Sequence, residues 1–207
     1  MGKSVYSMVL DDEVVRCVDI AAAKTGESRS QFINRVIAKE VGFATSRQRL
    51  DDIIDAIDVC LATHEKMRMV RRQKAAVDFL SALNYKYSPR VTYSVDLYPE
   101  EKKAKLTIAL RTTSPELTAL CANFFEIISK LEENSCNKRL FGVEDGKVVR
   151  IMTLPKDVDT LEAARIITRY VNYFDKLLND FISTRDEKER LDNLIASFEG
   201  YKEEIPL

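Results

Sequence analysis

The sequence predicts an α+β chain: a small N-terminal module, a helical connector, then a larger mixed domain. Three observations lead there. Two helical segments with recognisable caps fill residues 12–42. An apolar stripe at helical spacing runs from Leu50 to Leu83. Beyond Arg90, alternating apolar segments are interleaved with long helical stripes. At 45% hydrophobic and 31% charged, the 207 residues have enough apolar surface to offset ordering entropy. Lys+Arg 32 against Asp+Glu 33 leaves a net charge of -1, which excludes a uniformly basic coat for nucleic acid. Any DNA contact has to be a local patch. No apolar run approaches the ~20 residues of a membrane span, and no basic-then-apolar leader opens the chain. Cys17, Cys60, Cys121 and Cys136 are widely spaced without a C-x-x-C pair. Reduced thiols and a cytoplasmic location are expected.

The first element is a strand, Lys3 to Leu10, whose alternate residues Tyr6, Met8 and Leu10 form one apolar face. Asp11 stands at an N-cap position. The helix that follows, to Thr25, carries Val14, Val15, Val18 and Ala22, and Gly26 ends it. Ser28-Arg29-Ser30-Gln31 is a capping box. It opens a second helix with Phe32, Ile33, Val36, Ile37 and Val41 on one side, stopped at Gly42. One strand without a partner and two short helices cannot close a core. A second copy that supplies the missing strand solves both problems, so an intertwined homodimer is expected.

Leu10-Asp-Asp-Glu-Val-Val, Ala21-Ala-Ala-Lys-Thr-Gly26 and Ser28-Arg-Ser-Gln-Phe-Ile33 resemble the ribbon-helix-helix family of DNA-binding proteins (MetJ, Arc and CopG type) over about residues 3–43. The resemblance implies that two strands pair across a two-fold axis and enter the major groove of double-stranded DNA as a ribbon. Lys3, Val5, Ser7 and Val9 would face the bases. Backbone N–H groups near Ser28, Arg29 and Ser30 would clamp a phosphate at the helix N-terminus. The family usually places polar or basic residues on the ribbon's outer face. Val5 and Val9 depart from that, since valine offers only apolar contact, for example to a thymine methyl.

Residues 46–85 read as a helical connector, with Leu50, Ile53, Ile54, Ile57, Cys60, Leu61, His64 and Met67 on one stripe, resumed by Val77, Leu80 and Leu83. Residues 86–184 read as an α+β domain of order strand-strand-helix-strand-strand-helix. Val91, Tyr93, Val95 and Leu97 alternate, as do Leu106, Ile108 and Leu110, with a turn at Pro99 between them. Pro115 opens a helix at its first position. Its stripe is Leu117, Leu120, Cys121, Phe124, Ile127, Ile128 and Leu131. Glu144-Asp-Gly146 marks a hairpin between Leu140–Val143 and Val148–Leu154. Asp157 or Asp159 caps a helix bearing Leu161, Ile167, Val171, Phe174, Leu178 and Phe181. Residues 185–207 form an acidic helix and tail. The order is broadly similar to that of secretion-chaperone-like domains, which also dimerise.

Cys60 and His64 lie four apart, and two copies in a parallel dimer would gather a zinc-like set. Both fall on the apolar stripe, and no metal or cofactor is expected. Asp51, Asp52, Asp55 and Asp58 read as a solvated helix face. Arg68, Arg71, Arg72 and Lys74, near Lys66, are candidates for further contacts to the DNA backbone. With one histidine, no nucleophile elbow and no glycine-rich phosphate loop, no enzyme is expected. Glu132 and Glu133 are adjacent in a helix and face apart.

The expected function is a dimeric, sequence-specific transcriptional regulator that represses by occupying its operator. The C-terminal domain would sense a small-molecule or protein effector, or assemble dimers further. Alternatives are a plasmid partition or transfer accessory protein, an antitoxin, or an assembly protein that has lost DNA contact.

Overall fold

The computed structural model describes residues 5–42, 46–61, 67–155 and 157–206, apart from the side chain of Ser46. The chain divides into two compact units, residues 1–49 and 50–207.

The first unit is a helix pair. α1 (Asp12–Thr25) ends at Gly26, whose left-handed φ of 64° turns the chain and lets Glu27 N–H bond the Ala22 carbonyl. An L side chain would be strained there. Asp11 occupies the N-cap in extended conformation, but its carboxylate makes no capping bond. α2 (Arg29–Glu40) begins with the expected reciprocal box: Ser28 Oγ accepts from Gln31 N–H at 3.3 Å, and Gln31 Oε1 accepts from Ser28 N–H at 3.1 Å. Residues 5–11 form no strand in the single chain. A lone segment has no ladder to join, and its backbone groups remain open to water. The predicted strand's first residues, including Lys3, lie outside the described residues.

The connector is not helical throughout. α3 spans Ser46–Leu61, and residues 68–82 form two strands, β1 (Arg68–Arg72) and β2 (Ala76–Ala82). His64 lies outside the described residues. Val77 and Leu80, read as one helical stripe, point to opposite faces of β2. Val77 is buried with Phe79 and Ser81, and Leu80 is not.

Four more strands join them: β3 (Arg90–Tyr98), β4 (Lys103–Arg111), β5 (Phe141–Glu144) and β6 (Lys147–Thr153). All pairs are antiparallel, in the order β1-β2-β3-β4-β6-β5. The C-terminal unit therefore carries two strands more than expected. One face is apolar: Phe79, Val91, Tyr93, Val95, Leu106, Ile108 and Met152 are buried on it. It packs under α4 (Pro115–Cys136) and α5 (Thr160–Ser183), with Phe174 set edge-on to Phe124 at 5.4 Å and to Tyr93 at 6.5 Å between ring centroids. Ile53, Ile54, Ile57 and Leu61 of α3 join the same core. Pro115 sits in the first turn of α4 behind an N-capping Ser114, and Asp159 caps α5. Leu161 departs from its stripe and is exposed. Asp145 and Gly146 both take positive φ, 49° and 72°, as a two-residue hairpin turn requires. α6 (Glu187–Glu199) follows, capped by Asp186. No helix among the described residues is long and apolar enough to cross a membrane.

Candidate nucleic-acid interface

The N-terminal unit holds most of the predicted contact residues. Val5 and Val9 are fully exposed and Ser7 is exposed with them, while Met8 and Leu10 are less so, at 51% and 38%. The alternation read from sequence thus persists in part without a ladder. At the start of α2 the Ser28 hydroxyl is engaged in its capping box. The Arg29 and Ser30 N–H groups lie in the first turn, where a helix supplies no acceptor of its own.

Arg29 is placed differently from the expectation of a free clamp. Its Nε and Nη2 donate to the two carboxylate oxygens of Asp19 on α1, at 2.6 and 2.5 Å. Those bonds to Arg29 hold the Asp19 carboxyl below its usual range. A second cluster fixes the inter-helix turn. Glu27 accepts from Arg35 at 3.0 Å, lies 3.6 Å from Arg47, and is held low in pKa mainly by Arg35. The Arg35 guanidinium also sits 4.8 Å from the Phe32 ring centroid. The turn that presents the α2 N-terminus is therefore braced by two carboxylates that engage three arginines.

The other basic candidates belong to the second unit and to a strand. Arg68 and Arg71 share the sheet face away from the core, because their register partners are Leu80 and Asp78. Arg72 opposes Val77 and is ion-paired with Asp55 of α3. Lys74 is exposed in the turn between β1 and β2.

Sequence reasoning missed the buried polar groups. Glu132 and Arg150 are both fully buried and bonded at 2.9 Å. Glu132 also accepts from the Tyr170 hydroxyl at 2.7 Å, and Arg150 donates to the carbonyls of Ile151 and Pro206. The Arg150 guanidinium lies 4.4 Å from the Tyr170 ring centroid. Burial pushes the Glu132 carboxyl up, against the pull of Arg150 and Tyr170. Glu133 does face another way and accepts the Leu140 and Phe141 N–H groups, each at 2.9 Å. Across the core, Asp175 accepts from Ser81 and Tyr93, both at 2.9 Å. Burial and the Asp175 charge keep the Tyr93 phenol protonated far above its ordinary range. These groups are sealed from solvent and tie α4 and α5 to the sheet.

A cleft of about 360 Å³ opens between α5 and α6, beside Asp180, Phe181, Thr184, Arg190 and Asn193. Arg190 is committed there to the Thr184 carbonyl at 2.7 Å and to the Phe181 ring. Among the described residues no group of three or more His, Cys, Asp or Glu could hold a metal ion. No protein-family description, curated protein or solved structure matches the chain.

Proposed function

We propose that the chain is a dimeric, sequence-specific DNA-binding protein, a transcriptional repressor whose N-terminal segments pair into a ribbon in the major groove. One observation carries this reading. Residues 5–42 hold a strand-forming segment and a helix pair, yet only Ala22 and Ala38 are buried hydrophobics among them. Tyr6, Met8, Val14, Ile20, Val36, Ile37 and Val41 stay exposed in the single chain. A second copy would cover such side chains and supply the strand partner for residues 5–10.

The clamp on DNA would then come from backbone amides. The N–H groups of Arg29 and Ser30 point a helix N-terminus at a phosphate, and Asp19 keeps the Arg29 side chain in place. Base contact falls to Ser7, with Val5 and Val9 limited to apolar edges. The residues of the C-terminal unit serve an effector or further assembly.

A gel-shift screen of the full-length protein against the DNA upstream of its own coding sequence tests the reading. Binding with discrimination between sequences is expected, and Ser7→Ala relaxes that discrimination. A stable dimer that holds every duplex weakly, with a shallow salt slope, would instead establish an assembly protein without DNA contact. Val5 and Val9 favour that second reading.

A further inference from the structure

We propose that the open sheet face of the C-terminal unit binds the phosphodiester backbone of duplex DNA through Arg68, Arg90 and Arg111; this rests on the DNA-binding reading above. Arg90 and Arg111 are the first residue of β3 and the last of β4, and they stand directly opposite each other. Their neighbours Val91 and Leu110 turn toward the core, so both arginines project from the open face. Directly opposed side chains start roughly 5 Å apart at Cβ, and like charges in that position destabilise a sheet. Arg68 opposes Leu80, which opposes Thr92, so it shares this face two strands (about 10 Å across the sheet) from Arg90 and three (about 14 Å) from Arg111.

Among the described residues no acid pairs with the group; the first acid after β4 is Glu116, which accepts from the Tyr85 hydroxyl of the adjoining loop at 3.2 Å. Residues 79–95 and 102–115 contain no Asp or Glu. Among the described residues Arg68, Arg90 and Arg111 make no ion pair, whereas Arg72 is paired with Asp55. The acids elsewhere on the open face are answered. Asp78 opposes Arg71, and Lys105 lies 3.9 Å from Asp96 and 3.3 Å from Glu144. With a net charge of -1 for the whole chain, the concentration of cations at this one end is a matter of placement, not composition.

The loop of residues 83–89 closes the same end, because it joins Ala82 of β2 to Arg90 of β3. It adds an exposed Lys86 and a fully exposed Tyr87. Tyr87 and the next residue, Ser88, hold left-handed φ values of 64° and 45°, strain that non-glycine residues seldom carry. The face is open and the cations are spread across strands. Such an array suits a line of phosphates, where counterion release rewards each contact, better than a single small anion.

The test uses the full-length protein and a mixed-sequence duplex of about 30 base pairs, with affinity followed as salt is raised. The variant R68Q/R90Q/R111Q is compared with R165Q/K176Q/K188Q, which removes the same charge from exposed positions of α5 and α6. The patch variant is expected to lower the slope of log K against log salt by about 3 for each copy engaged, and to weaken binding at least tenfold; the control leaves the slope in place. Arg111→Gln alone gives about a third of that change. Its unfolding midpoint should not fall, since a repulsion is removed. Equal slopes for the patch and control variants overturn the proposal. If Ser7→Ala still relaxes discrimination in that case, the DNA-binding reading stands while this one falls. Absence of duplex binding by the unsubstituted protein overturns both. An altered oligomeric state with an unchanged slope would assign the patch to acidic residues of a second copy.

Discussion

Between Val5 and Gly42 the buried hydrophobic residues are two alanines, Ala22 and Ala38, whereas α5 alone buries Ile167, Tyr170, Val171, Phe174, Leu177, Leu178, Phe181 and Ile182. The energetic difference is large. Fixing a residue's backbone costs roughly 1–2 kcal/mol, and burial returns about 25 cal/mol per Å² of apolar surface. Two alanines cannot offset the ordering of a helix pair. The first unit buries little within the single chain, and the second draws its stability from within one chain. The same contrast runs through the polar groups. Arg29 and Asp19 pair in water, where such contacts contribute little. Arg150 and Glu132 pair at zero exposure, where loss of either partner strands a charge.

The largest expected effect tests the second half of that contrast. Glu132→Leu leaves Arg150 uncompensated and should cost about 3–5 kcal/mol in urea unfolding. The double variant E132L/R150M should recover most of it, and a single variant as stable as the parent would remove the network from the fold's support. Next in size is dilution. If the N-terminal unit is held by association, each tenfold dilution lowers its stability by about 1.4 kcal/mol, seen as earlier loss of amide protection in α1 and α2. The core around Phe174 should not respond. Concentration-independent protection in both units would erase the distinction. Ser28→Ala removes the capping acceptor and should weaken the N-terminal unit by about 1 kcal/mol, read from exchange at the first turn of α2. Asp19→Asn gives the smallest change. Arg29 lowers the Asp19 carboxyl from its ordinary 3.8, so its contribution is complete above that value and fades as pH falls through the lowered one. The variant should flatten the acid limb of N-terminal unfolding and leave the neutral region alone.

Local signals were the legible part of the fold. The Ser28–Gln31 box, Gly26, Pro115 in the first turn and the Asp145–Gly146 hairpin each declare themselves within four residues. β3 and β4 were legible because every second residue is apolar. β1 and β2 were not. Residue 81 of β2 is a serine, so the alternation after Val77 and Phe79 fails in the sequence at a position that is buried in the fold. Its hydroxyl is satisfied by Asp175, 94 residues away, which no local pattern reveals. Val77, Leu80 and Leu83 then imitate a helical stripe. The candidate interface was legible in a similar proportion. Arg68 and Arg71 stood out as part of a run, but Arg90 and Arg111 become neighbours only through strand register. The engagement of Arg29 by Asp19 depends on how α1 meets α2, which spacing does not fix.

The contact between Arg150 and the Pro206 carbonyl has a consequence for the timing of folding. The two residues are 56 positions apart. A chain synthesised from its N-terminus emerges with Glu132, Arg150 and Tyr170 in hand while the last acceptor for the guanidinium does not yet exist. Until residues 205 and 206 arrive, a buried cation on the sheet's penultimate strand lacks part of its shell. The C-terminal unit should therefore stay loosely packed during elongation and lock late.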